Sequence, residues 1–311
     1  MSSLSPELKE FLTTVAKVAA SVAESSEPVS AGYGMLHDTG LLDMAREIAD
    51  EPDSLVWLTN AISVTAQSSP SLAFALAGRY TADHAIGPDT DATNPTFALA
   101  IPGSVPVVSG SLEPDTVAVL DTSDNVLRSA PWTDTAPTAT EPRTGLAQAE
   151  LVSVTLPADA APCGREAVDV LARWDLLTGA ALVGLARRAV RETQTYVMER
   201  HQFGVPIGSF AGLRALTAEM EIKVDEVEAM LDHAVAQGEH SASVSAAAGR
   251  AAIAVCVDAI QAHGGYGYVD EYAITGLLRD AISIQARAGG RRLHIARVAE
   301  RGLGPQGGSP P

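Results

Sequence analysis

Two stretches of this 311-residue chain hold residue types able to grip an anion. In "ERHQFGVPI", Arg200 falls where a helical pattern stops and a turn begins. An arginine at a helix end can form paired, charge-assisted hydrogen bonds to a pyrophosphate. In "QAHGGYGY", Gly264 and Gly265 are the kind of residue that lets backbone N–H groups approach an anion closely. Alone, the glycines read equally well as a flexible turn between helices. Together, about 60 residues apart, the two stretches fit a dinucleotide.

Other reactive types are sparse. The only cysteines, Cys163 and Cys256, match no metal or redox spacing and are expected to be buried, reduced thiols. The seven histidines show no ligand spacing, so no metal is expected. Arg279 and Asp280 have the types for a surface ion pair. Arg287, Arg291, Arg292, Arg297 and Arg301 form a basic group near the C-terminus. It reads either as a solvated face or as a contact for an acidic partner or a phosphate.

The formal charge of −17 is uneven: residues 1–160 hold 6 Lys and Arg against 21 Asp and Glu, whereas residues 161–311 hold 15 against 17. So acidic a first half repels nucleic acid, anionic membrane and polyanionic ligands, which places any anionic ligand against the second half. No run of 18 uninterrupted apolar residues occurs, and "MSSLSPELKEF" lacks the basic start and apolar run of a signal peptide. A cytoplasmic location with no membrane or nucleic-acid partner is expected.

The elements that must position these residues follow from periodicity. Apolar residues recur at helical spacing over residues 6–24 and about 54–86. From Asn94 the texture changes to short β-branched runs ("TFALAIPG", "VPVVSGS", "TVAVLD", "ELVSVTLP") that predict a small antiparallel sheet. After Pro162 the helical period returns, with long helices over 165–200, 210–236 and 241–263 and a short one over 291–302. The fold class is therefore mainly α with a small β middle domain and a C-terminal four-helix bundle. Its domains are 1–93 (helical), 94–160 (reduced β), 161–302 (bundle) and 303–311 (disordered tail).

With the elements in this order, Arg200, Gln202, Phe203, Gly204 and Ile207, followed by Phe210, resemble the motif that closes the first long C-terminal helix of acyl-CoA dehydrogenases. Gln261, Gly264, Gly265 and Gly267, then Glu271, Tyr272, Arg279, Asp280 and Ala281, are similar to that family's second motif. The specific resemblance covers about residues 165–300. It implies an acyl-CoA dehydrogenase-like fold and FAD at a two-subunit contact. Arg200, Gln202, Phe203, Gln261, Gly264 and Gly265 would then be cofactor-binding residues that reach a flavin held mainly by the neighbouring subunit.

The same comparison finds the rest of the site missing. The pattern with which a subunit of that family holds its own flavin ring is only imitated by Thr140, Glu141, Pro142 and Gly145, too close to Phe203 to correspond, and Trp132 is an indole in an unmatched context. The family's catalytic base, a glutamate, would stand at Ala288, before Gly289 and Gly290, or at Trp174. Gly-Thr-Ser-Gln, which contacts the adenosine end of FAD, is replaced by Gly289–Arg292. Asp175 is the only acid adjacent, turned by about 100° from Trp174 around a helix. No catalytic residue is therefore expected, Asp175 being the sole candidate. The chain resembles the short, degenerate subunit of heterotetrameric (α2β2) dehydrogenases that act on steroid side chains, in which a full-length partner supplies the base and most contacts to the acyl-CoA. The alternatives are a self-sufficient dehydrogenase using Asp175 and a scaffold without FAD.

Overall fold

A computed structural model describes residues 4–24, 27–87, 91–139, 145–269 and 272–304. Helix α1 (Pro6–Glu24) buries Leu8, Leu12, Val15, Val18, Ala19 and Val22, the stripe that its spacing of three and four residues dictates. Two short helices follow, α2 (Tyr33–Asp38) and α3 (Met44–Glu47). Then come α4 (Ser54–Ala66) and α5 (Pro70–Ile86). The start of α5 is written locally: the Leu72 N–H donates to Ser69 Oγ at 3.2 Å, and Pro70 occupies the first turn, where its missing N–H costs nothing. Nearly all of α5 is buried, its first half because it is apolar and its Arg79 because it pairs with Asp83 and Asp43, each at 3.0 Å.

The middle region forms two sheets from β1 (Pro95–Ala100), β2 (Val107–Ser109), β3 (Thr116–Asp121), β4 (Val126–Pro131), β5 (Thr138–Ala139), β6 (Leu151–Ser153) and β7 (Ala161–Pro162). The first has the order β1-β3-β4-β7 and the second β2-β6-β5. The expectation of one antiparallel sheet needs correction, because β1 and β3 run parallel, with Phe97 opposite Ala118. The reason is topological. After β1 the chain leaves to pair β2 with β6, so β3 returns to β1 by a crossover instead of a hairpin.

The bundle contains α6 (Ala167–Glu199), α7 (Ala211–Gln237), α8 (Ser241–His263), α9 (Ile274–Arg287) and α10 (Gly290–Leu303). The hairpin β8 (His201–Gln202) and β9 (Val205–Pro206) joins α6 to α7. The four helices expected here become five, because the segment carrying Arg279 and Asp280 is itself the amphipathic α9, which buries Ile274, Leu277, Ala281 and Ile284. Helix α8 packs against α6, α7, α9 and α10. By length and composition, Ser241–Tyr268 could cross a membrane; here it is the central strut of the bundle, burying Val244, Ala248, Ala252, Val255 and Ala259. Helix α10 runs to Leu303, and residues 305–311 lie outside the described residues.

Candidate cofactor-facing site

The two sequence motifs meet at one end of the bundle. Helix α6 stops at Glu199, and Arg200 turns extended, with its N–H closing the helix onto the Tyr196 carbonyl at 2.9 Å. Helix α8 stops at His263, and Gly264 takes φ +60° and ψ −135° while its N–H is spent on the Ile260 and Gln261 carbonyls. The two ends are locked by Tyr196, whose ring stacks on His263 with centroids 4.1 Å apart and whose hydroxyl donates to the His263 carbonyl at 3.3 Å. The Arg200 guanidinium lies over the Tyr266 ring, 5.1 Å from its centroid. Among the described residues Arg200 has no carboxylate partner.

Around this point a cavity of about 460 Å³ is lined by Arg188, Glu192, Tyr196, Glu199, Arg200, His263, Tyr272 and neighbours. Arg188 is already engaged, with Glu192 at 3.5 Å and the Ser68 carbonyl at 2.8 Å, so Arg200 is the cation left for a visitor. Gly264 and Gly265 border open space, where an added Cβ would meet nothing within 4 Å. Those features fit the phosphate portion of a dinucleotide approaching from outside. Nothing in the sequence marks Tyr196, His263, Tyr266 and Tyr272 as an aromatic bed, although three of the four lie within the second motif and Tyr196 shortly before the first.

Phe203 projects from the hairpin, 92% exposed, with its ring edge-on to Phe210 at 6.3 Å. Phe203 and Gly204 have φ +52° and +83°, the pair of positive values that a two-residue type I′ turn demands. Glycine accepts that conformation; a phenylalanine there is strained by about 1–2 kcal/mol. Gln202 and Gln261 are exposed as well. Five of the six expected cofactor-binding side chains and glycines thus point outward, and Arg200 is half-buried at their centre.

The positions of the expected base lie at the opposite extreme. Trp174 is 1% exposed and wedged between Phe74 and Phe97, with centroids at 5.8 and 5.1 Å, and its buried indole N–H has no acceptor. Ala288 is fully buried. Asp175 is sealed as well: Arg297 donates to its carboxylate at 2.6 Å and Ser241 at 2.9 Å. Burial pushes that carboxyl up to about 6 despite Arg297. His294 completes the knot, its Nδ1 3.5 Å from Asp175 and its Nε2 3.1 Å from Ser245 Oγ. Burial and then Arg297 hold this imidazole down, to about 4, so it is neutral at pH 7. The order Ser245, His294, Asp175 imitates a nucleophilic triad. All three are buried and none lines a described cavity, so the arrangement ties α6, α8 and α10 together.

Several expectations change on contact with the structure. Arg279 and Asp280 do not pair; Asp280 turns inward and accepts the Leu146 N–H at 2.6 Å, a bond across 134 residues. The basic group divides, with Arg297 inside on Asp175, Arg287 bonded to the Ser283 carbonyl at 3.3 Å, Arg301 on Ser243 at 3.1 Å, and Arg291 and Arg292 exposed. Cys256 is buried, whereas Cys163 is only half-buried. Thr140, Glu141 and Pro142 lie outside the described residues, but Gly145 has a structural reason to be glycine, because a Cβ would collide with the Arg279 carbonyl of α9. Glu271 also lies outside them.

The layering of helices, small sheets and long bundle is shared with solved acyl-CoA dehydrogenases. The solved butyryl-CoA dehydrogenase from Megasphaera elsdenii aligns with 97% of this chain and 99% of its own at a TM-score of 0.78, with 16% identity. Glutaryl-CoA dehydrogenase from Mycobacterium smegmatis aligns at a TM-score of 0.74 over 97% and 96%, with 17% identity. In sequence, the family description "Acyl-CoA dehydrogenase, C-terminal domain" matches residues 168–303. Two relatives also match in sequence: "Probable acyl-CoA dehydrogenase YngJ" of Bacillus subtilis is 35% identical over 128 residues, and the 3-sulfinopropanoyl-CoA desulfinase of Paraburkholderia xenovorans is 36% identical over 134. These matches span 38% and 40% of this chain and 34% of either relative. The chain therefore carries the acyl-CoA dehydrogenase fold, with that family's C-terminal domain as its bundle.

Proposed function

We propose that this chain is a degenerate, non-catalytic subunit of a heteromeric FAD-dependent acyl-CoA dehydrogenase, and that it completes from outside an FAD site whose ring half and catalytic base belong to a full-length partner. The observation that carries this reading is a division within one chain. Residues matching the family's cofactor contacts stand exposed around Arg200, while Trp174, Ala288 and Asp175 are packed shut. FAD, when bound, would supply the hydride acceptor for α,β-dehydrogenation of an acyl thioester. This chain's share would be to hold the cofactor's anionic portion, through Arg200 and the backbone at Gly265, and to present Phe203, Gln202 and Gln261 along it. The α proton would go to the partner's carboxylate, because Asp175 has no route to a substrate.

Pairing a half-site with a full one calls for a heterodimer, and likeness to the short subunits of heterotetrameric dehydrogenases extends this to α2β2. The resemblance to short subunits further suggests a bulky acyl group, such as a steroid side chain, and so a role in lipid degradation. The test is flavin stoichiometry. Alone the chain is expected to be colourless, and co-expressed with its partner to carry about one FAD per heterodimer. Within that complex Asp175→Asn should leave the rate within about threefold, since removal of a general base costs roughly 10²–10⁴-fold. Full flavin occupancy of the isolated chain, or a hundredfold loss with Asp175→Asn, overturns the proposal.

A further inference from the structure

A second basic cavity lies where the first and middle thirds of the chain meet. It measures about 120 Å³ and is lined by Ala45, Arg46, Ala49, Asp83, His84, Gly87, Arg165 and Arg173, from α3 and the end of α5 with the residues that follow them, the segment before α6, and the second turn of α6. It shares no residue with the cavity at Arg200. Its charges do not cancel. Asp83 is its only described carboxylate, and it is taken twice, by Arg46 at 2.6 Å and by Arg79 at 3.0 Å. Arg46 is further held by the Ala92 carbonyl at 3.1 Å. Arg165 and Arg173 are left facing the space with no hydrogen bond or ion pair among the described residues. The strain of that arrangement appears in two groups. Burial and then Arg165 bring Arg173 down to about 10, and burial followed by Arg173 and Arg165 brings His84 down to about 3, so His84 is neutral.

We propose that this cavity binds a phosphate-class oxyanion, with Arg165 and Arg173 neutralising it and His84 lending a ring nitrogen. Two guanidiniums without a hydrogen-bonded carboxylate among the described residues match a tetrahedral dianion better than a carboxylate, which would balance only one of them. The volume admits one such group and excludes a nucleoside, so the remainder of any larger ligand would lie outside the mouth. Both arginines that would face the anion come from beyond residue 160, although the walls include the acidic half.

The test uses the full chain, alone or in its complex, titrated with inorganic phosphate against chloride at equal ionic strength and followed by thermal unfolding. Phosphate should raise the midpoint in a saturating manner. Arg165→Gln, an exposed position, and Arg173→Gln should each weaken the apparent phosphate affinity at least tenfold. Without phosphate, Arg173→Gln should unfold at a higher temperature than the unmodified chain, because it removes an unpaired, largely buried charge. Adenosine monophosphate in place of phosphate separates sources: tighter binding marks an ester of a larger ligand, equal binding a free ion. No phosphate-specific rise in the unmodified chain, or a rise that both variants retain in full, overturns the proposal.

Discussion

The two ends of helix α6 teach opposite lessons. Near its start, Trp174 and Asp175 are interior residues whose neighbours are all supplied by this chain: two phenylalanines for one, an arginine, a serine and a histidine for the other. At its end, Arg200, Phe203 and the facing glycines of α8 have most of their surroundings still to be supplied. A side chain whose contacts are complete contributes to stability; one held in position without a partner is available for binding. The same contrast makes separate predictions about folding and about cofactor retention.

Trp174→Ala should have the largest effect. Deleting a fully buried indole between two rings leaves a cavity that the helices cannot collapse around, costing about 3–5 kcal/mol. Urea unfolding should show that loss. The variant should still carry no flavin when purified alone; a flavin spectrum from it would mean that the bulk of one side chain was all that closed the interior.

Arg200→Ala should reverse the pattern. Losing a charge-assisted contact should weaken FAD retention by the complex by about 2–3 kcal/mol, read by flavin release on dilution, with the folding midpoint of the chain nearly unchanged. Equal FAD retention would remove Arg200 from the cofactor site.

A pH test probes the interior from another side. Burial raises the Asp280 carboxyl to about 6, whereas in the unfolded chain it ionises near its ordinary value of about 4. Between these values the folded protein holds a proton that the unfolded chain has lost, so stability falls as pH rises from about 4 to 6. Asp280→Asn keeps an acceptor for the Leu146 N–H and removes this fall. The variant should nearly match the unmodified chain at pH 4 and exceed it by about 2–3 kcal/mol at pH 7. Parallel stability–pH curves would show that the carboxyl is not shifted.

The smallest effect is expected at the hairpin. Phe203→Asn replaces a strained residue by one that tolerates positive φ, so the isolated chain should gain about 0.5–1 kcal/mol. The complex should lose affinity for its flavin or its partner. A gain in both would leave the exposed phenylalanine without a reason for its conformation.

The long helices, their stops, the change to β texture near Asn94 and the pairing of the two motifs were all legible in the sequence, because each depends on local periodicity or on residue types within one turn. Leu8, Leu12 and Val15 declare a face, and Arg200 and Gly264 declare ends. The parallel pairing of β1 with β3 was not legible, since the detour through β2 is a matter of which edges meet. Nor was the direction of a charged side chain: Arg297 and Arg291 belong to one basic run, but only packing sent the first onto Asp175 and left the second in solvent. Asp280 beside Arg279 looked like half of an ion pair until Gly145 allowed the loop to approach and Leu146 to offer its N–H. Sequence alone determined which residues match the two motifs. Tertiary structure decided which of them remain exposed, because exposure depends on the neighbours that distant segments bring.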